Sequence, residues 1–330
     1  MGDIAKRKQF KTPGEYVYDG VTLGGYVNRR VVEYPGIVNC HEDDVFVVSY
    51  PKAGTTWALE MISLVMNGCD VDANQSAIQQ VRHPMIETSL DFLGWAKYIA
   101  LFLCKVSYYM PKFIKKLGFP DVAEEEFNAG QGIEQIERVA RPRLLKSHLP
   151  YQFFPTQALE KKCKIIYIVR NPKDTAVSYY YHYRLFHFVA PWNDFYNLFI
   201  NDNVSYGSWF DHVLGWWKHK DESNILYLKY EDMKKNFKKA IQSVASFLDK
   251  TVSDEEVIKI MDFCKLQKMK ENAAVNMERF THGFGSKKTD NFIRKGIIGD
   301  WENHFTVAQN VNFEKLYEER MAGTGLDFDW

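Results

Sequence analysis

The sequence has no net charge: 42 lysines and arginines balance 42 aspartates and glutamates over 330 residues. A general nucleic-acid binder carries a basic excess, so that class is set aside and any anion site must be local. Cysteine is scarce. The five present, Cys40, Cys69, Cys104, Cys163 and Cys264, are scattered and include no C-x-x-C pair. That pattern belongs to a reducing compartment rather than to a disulfide framework or a zinc site. Long apolar runs are also lacking. The longest, YIALFLC from Tyr98 to Cys104, sits between Lys97 and Lys105 and is too short to span a bilayer. The N-terminal MGDIAKRKQFKTPGEY has no apolar h-region, and Lys6 stands where myristoylation wants Ser or Thr. Neither a secretory leader nor an acyl anchor is expected, and the expected location is cytoplasmic. No internal repeat or low-complexity linker divides the chain.

With 46% hydrophobic and 25% charged residues, the chain can bury a substantial core. Strand-like runs alternate with helical ones. DVFVVSY (44–50) precedes TTWALEMISLVMN (55–67), which places Trp57, Met61, Leu64 and Val65 along one stripe. RLLKSH (143–148) is a short apolar strand ending in polar groups. KIIYIVR (164–170) leads to PKDTAVSYYYHYR (172–184), with Pro172 suited to a first helical turn. NILYLKY (224–230) leads to KNFKKAIQSVASFLD (235–249). Strands followed by helices predict one α/β domain over 1–330 with a central parallel sheet flanked by helices. Ligands of such sheets bind beyond the carboxyl ends of the strands. Four of those ends carry Lys52, Lys146 with His148, Arg170, and Tyr230.

In VFVVSYPKAGTTW a buried strand meets a glycine turn and then a helix, which is the form of a phosphate-binding loop. The ATPase spacing is absent, because Lys52 precedes Gly54. Gly54 would permit close backbone approach, Thr55 and Thr56 add hydroxyls, and Lys52 adds a mobile charge. An ordinary strand–helix turn and a kinase-type loop are the other readings. Arg170 and Ser178, about two turns into the next helix, could clamp a second phosphate, although an arginine after a strand is more often a surface ion pair. FIRKG (292–296) alone reads equally well as a solvated basic loop, and His148 alone as a structural histidine.

Together, YPKAGTTW, LLKSHLP, VRNPKDTAVSYY, VSYGSW, LYLKYEDM and FIRKGIIGDW, in this order, resemble the cytosolic sulfotransferase family from about Val45 onward. The resemblance implies the P-loop-like sulfotransferase fold and the donor 3′-phosphoadenosine 5′-phosphosulfate (PAPS; product PAP), with no metal. It implies that Lys52, Ala53, Gly54, Thr55 and Thr56 cradle the 5′-phosphosulfate and that Trp57 lies near the adenine. Arg170, Ser178 and the run Phe292, Ile293, Arg294, Lys295 and Gly296 would serve the 3′-phosphate, with Tyr230 another nucleotide contact. His148 would be the general base, with Lys52 and Lys146 stabilising developing charge. Met85 and Ile86 match positions lining the acceptor pocket, and the acceptor would be a small phenol, monoamine, sterol or other alcohol.

The chain departs from the family in four places. Ala53 replaces a serine of the loop. Cys264 and Leu266 stand at the Thr and Phe of the adenine contact. The dimer motif keeps Thr306 and Val307, but Glu302 and Val311 replace its charged ends, which leaves a homodimer open. The acceptor side carries an insertion, about 85–140, that includes the aromatic, lysine-rich 90–119. It reads as an extra helical layer, a helical lid over an apolar pocket, or a membrane-surface contact. AVNME and FIRKG also resemble the insect retinol dehydratase, so net dehydration through a transient sulfate ester is an alternative outcome. A nucleotide-binding protein without turnover is another, against which both His148 and Lys52 argue.

Overall fold

The computed structural model describes residues 14–88, 133–185, 191–277 and 292–328. The expected lid at 90–119 lies outside them. A short antiparallel hairpin, β1 (Tyr16–Tyr18) and β2 (Val21–Leu23), precedes the main sheet. That sheet has four parallel strands: β3 (Val45–Ser49), β4 (Leu144–Ser147), β5 (Lys164–Val169) and β6 (Ile225–Lys229), in the order β4-β3-β5-β6. In register, Val48 lies between Ser147 and Tyr167, so the residues that follow β3, β4 and β5 emerge at one edge.

The strand sequences explain the layering. Successive side chains point to opposite faces. Phe46, Val48, Leu145, Ile165, Tyr167 and Val169 enter one core, while Val45, Val47, Leu144, Ile166 and Ile168 enter another. Burial on both faces is why these strands read as continuous apolar runs rather than alternating ones. The helix after β3, α1 (Thr55–Met66), fills the second core with Ala58, Met61, Ile62 and Val65. The helix after β5, α2 (Pro172–Leu185), fills the first with Ala176, Val177, Tyr179 and Tyr183. The chain thus leaves β3 and β5 for opposite faces, and the carboxyl ends of these two strands form the switch point at which an open α/β sheet has its ligand crevice.

The predicted elements form within one to two residues of their expected limits. The stripe expected on α1 widens, however. Leu59 is buried as well, because α5 (Phe237–Phe247) and α6 (Asp254–Phe263) carry further residues of that core. Glu60 and Ser63 are buried against Asn74, Gln79 and Arg82, whose side chains bond them. Between α2 and β6 lie α3 (Trp192–Ile200) and α4 (Trp209–Trp217), and α7 (Val307–Met321) follows at the C-terminal end of the described residues. No helix among the described residues is long and apolar enough to cross a membrane.

Candidate active site

The loop after β3 takes two left-handed steps, Lys52 at φ 71° and Gly54 at φ 104°. A left-handed lysine costs energy and persists only where its surroundings hold it. Gly54 is required for a reason the sequence does not show. A Cβ there would lie 2.6 Å from Cδ2 of Tyr230, so that ring occupies the space a side chain would need. Gly54 also caps α1 and, having no side chain, makes no cap bond, so among the described residues the first-turn N–H groups carry no side-chain cap. By contrast, α2 is closed by its own sequence: Asn171 Oδ1 accepts from the N–H groups of Lys173 (2.8 Å) and Asp174 (3.3 Å). The free donors and positive dipole end of α1 therefore face the crevice.

His148 follows β4 and is buried. Its Nδ1 lies 2.8 Å from the carbonyl of Ser49. A carbonyl can only accept, so Nδ1 carries the proton and Nε2 keeps its lone pair. Burial, reinforced by Lys146, drives its pKa well below the ordinary value against the opposing effect of that hydrogen bond. The backbone of His148 is held twice: its N–H donates to Glu87 Oε1 at 2.6 Å, and its carbonyl accepts from His212 Nε2 at 2.9 Å. Tyr206 donates to the same Glu87 oxygen (3.2 Å) and meets the imidazole edge-on at 5.6 Å between ring centres.

Cations gather around this base. Burial first, then Lys146, Arg170 and Arg294, lower the Lys52 ammonium to about 7. Its Nζ lies over the Phe292 ring at 3.9 Å. Burial lowers Lys146 too, opposed by Glu87. Arg170 lies over the Tyr230 ring at 4.5 Å and donates to the carbonyl of Ile297 at 3.0 Å. Its Nε is buried without a hydrogen-bond partner among the described residues. Arg294 and Lys295 reach Asp300 at 2.5 and 2.6 Å. Burial pushes the Asp300 carboxyl up, but its bonds to Lys295 and Arg294 outweigh this and leave it lowered. Ser178 is half-buried on α2.

Trp57 stacks on Phe237 at 4.5 Å, meets Tyr230 edge-on at 5.6 Å, and donates from Nε1 to the Cys264 carbonyl at 3.1 Å. The Cys264 contact is thus through its backbone. Leu266 lies against Gly296, with Cδ1 3.0 Å from where a Cβ would stand. Ala53 and Thr55 are buried, Thr56 and Ile293 half-buried. Thr55 Oγ1 bonds Ser49 Oγ at 2.6 Å. Met85 bridges Lys146 beside β4 and is half-buried, whereas Ile86 lies wholly in the core.

Contacts link Lys52 with Phe292 and Arg170, Arg170 and Trp57 with Tyr230, Trp57 with Cys264, Leu266 with Gly296, and Met85 with Lys146, whereas Ile86 stays in the core. Sequence reasoning missed Glu87, Tyr206, His212, His182, Asp174 and Asp300. His182 had a signal: it is four residues beyond Ser178, on the same helical face. Burial, then Lys52, Lys146 and His148, lower its pKa well below the usual value. The arrangement fits a polyanion. Arg170, Arg294 and Lys295 have carboxylate partners in Asp174 and Asp300, but Lys52, repelled by Lys146, Arg170 and Arg294, the Arg170 Nε and the start of α1 are left for an anion to satisfy.

A sulfotransferase domain matches residues 42–325. The chain is 38% identical to dog sulfotransferase 1B1 over 290 residues, 87% of this chain and 86% of that protein. Rat sulfotransferase 1C2 is likewise 38% identical, over 289 residues, 87% and 86% of the two chains. Among solved structures, mouse sulfotransferase SULT7A1 in complex with PAP superposes with a TM-score of 0.70 at 32% identity, over 94% of this chain and 96% of that one. Retinol dehydratase, bound to androsterone and inactive cofactor PAP, shares the fold with a TM-score of 0.78 at 23% identity, over 99% and 96%. The chain belongs to the sulfotransferase family.

Proposed function

We propose that this sulfotransferase moves the sulfuryl group of 3′-phosphoadenosine 5′-phosphosulfate to the hydroxyl or amine of a small, largely apolar acceptor. The phenol, monoamine and sterol classes are the first candidates. One observation carries the reading: Lys52, Lys146, Arg170 and Arg294 crowd a single crevice beside a neutral, oriented His148. The donor, when bound, supplies an activated sulfuryl group and a phosphate leaving group. The α1 N–H groups, Thr55, Thr56 and Lys52 hold its 5′ end, and Lys52 and Lys146 stabilise charge where it develops. Arg170, Ser178, Arg294 and Lys295 hold the 3′-phosphate. Trp57, Tyr230 and the backbone of Cys264, with Leu266, bound the adenine. His148 Nε2 takes the acceptor proton, while the Nδ1 bond to Ser49 keeps the ring in the required tautomer. Met85 belongs to the acceptor side. The reading extends to one domain over the chain, with 85–140 as its acceptor-side insertion, in the cytoplasm.

Calorimetric titration with adenosine 3′,5′-bisphosphate, with magnesium-ATP as control, tests the donor site. Binding of the bisphosphate but not of ATP is expected, and preference for ATP would sink the reading. An acceptor screen read by product mass then separates a stable sulfate ester from net loss of water.

A further inference from the structure

The motifs NPKD and GDW lie outside the catalytic reading, yet they meet. Asp174, the third residue of α2, is fully buried. Its own helix does not need it as a cap, because Asn171 already fills that role. Its carboxylate leaves the helix and accepts two backbone N–H groups from a distant segment, Gly299 at 2.8 Å and Trp301 at 3.1 Å. Gly299 is left-handed at φ 83° and starts the short 3-10 turn Asp300–Asn303 without a side-chain cap of its own. Asp174 therefore caps that turn in trans. The residue between its two donors is Asp300, and the Asp300 carboxylate binds both Arg294 and Lys295. Two neighbours secure the same segment to the same helix: Arg170, whose guanidinium also lies 3.7 Å from the Asp174 carboxylate, bonds the Ile297 carbonyl, and Lys173 Nζ lies 4.1 Å from the Trp301 ring centre.

We infer that Asp174 is a positioning residue for the 3′-phosphate, holding the loop that carries Arg294 and Lys295 in register with the helix that carries Arg170 and Ser178. The inference rests on the reading that these four residues hold the 3′-phosphate. A carboxylate accepting two N–H groups makes charge-assisted bonds, which are stronger than neutral ones. Loss of the charge frees the turn, Asp300 moves with it, and the two cations lose their common anchor. The 5′ end of the site is built chiefly on α1 and touches this loop only where Lys52 lies over Phe292, so it is expected to feel the loss of the link much less.

The test is calorimetric titration of the full-length protein, unaltered and as Asp174→Asn, with adenosine 3′,5′-bisphosphate and with adenosine 5′-monophosphate. Asp174→Asn is expected to weaken the bisphosphate by about tenfold or more, the size of one lost charge-assisted bond, and the monophosphate by less than about threefold. Equal losses for both nucleotides, or no loss, would overturn the inference. Gly299→Ala strains the same turn without a steric clash, since no atom lies within 4 Å of the added Cβ. It is expected to give a smaller loss with the same selectivity, and it serves if Asp174→Asn fails to fold. In an Arg294→Ala, Lys295→Ala background, Asp174→Asn should cost less than it does alone, the remainder coming from its ion pair with Arg170, and full additivity would contradict action through those two cations. An unaltered protein that binds both nucleotides equally would instead overturn the 3′-phosphate assignment itself.

Discussion

Lys52 shows how far a site can displace one group from its usual chemistry. Burial and three neighbouring cations bring its ammonium to about 7, so above that pH the ligand-free protein holds it neutral. An arriving phosphate favours the charged form, and binding above pH 7 must then take up a proton. Affinity for adenosine 3′,5′-bisphosphate is expected to fall by up to about tenfold per pH unit above 7, with a binding heat that varies with buffer. Affinity that stays flat from pH 7 to 9 would contradict this. His148 runs the other way for function: a depressed pKa keeps it a base as pH falls below the usual histidine range. The profile of kcat/KM should therefore lack an acid limb near 6.5. His148→Ala is expected to slow transfer by about 10²–10⁴-fold with bisphosphate affinity nearly unchanged, and retention of most activity would remove His148 as the base. The histidine was legible in KSHLP. Its supports were not, because Glu87 and Tyr206 reach it from loops and His212 from α4, segments remote in the chain whose local sequence carries no mark of the contact.

One turn and one ion pair show what the elements contribute. Gly54→Ala places a Cβ 2.6 Å from the Tyr230 ring at a left-handed φ, so both strain and clash oppose it. A loss of at least about 2 kcal/mol in stability is expected by denaturant titration, together with weaker nucleotide binding. A stable variant with normal binding would show that Tyr230 can move freely. At the opposite end of the sheet, Asp44 and Arg143 form a buried pair across β3 and β4, at 2.7 and 2.5 Å. Asp44→Ala strands a buried guanidinium and should cost about 3–5 kcal/mol, while the folded fraction keeps its nucleotide affinity. The four main strands and the helices after β3, β5 and β6 could be read directly, since apolar runs of strand length precede helix-length segments. The hairpin β1–β2 could not, being only three residues a side. Nor could α3 and α4, whose many aromatic residues have modest helix propensity and whose apolar residues in α4 are nearly continuous.

For the molecule as a whole, the zero net charge means that attraction for a polyanion comes from the crevice and not from the overall field. The strand order β4-β3-β5-β6 makes this work. Helices leave β3 and β5 on opposite faces, and the gap between those strands receives Lys52 and Arg170 together. The C-terminal helix α7 presents Val307 and Val311, 84% and 61% exposed, at the positions that resemble the family's dimer motif. Two valines supply little of the roughly 1,200–2,000 Å² that a stable interface buries, and the charged ends are replaced. Sedimentation at micromolar concentration is expected to give a monomer; a dimer would mean that this face is covered in solution.

The sequence alone determined which chemical groups the protein brings to bear and in what kind of sheet. Strand ends, glycine turns and basic residues are local features, written in a few neighbouring residues. Tertiary structure alone decided how those groups act. That Gly54 yields to Tyr230, that Glu87 and His212 grip the backbone of His148, and that Asp174 caps a turn at Gly299 are contacts between residues far apart in the chain. Such contacts leave no trace in local spacing, because close packing and the pairing of buried polar groups choose the partners only when the segments come together.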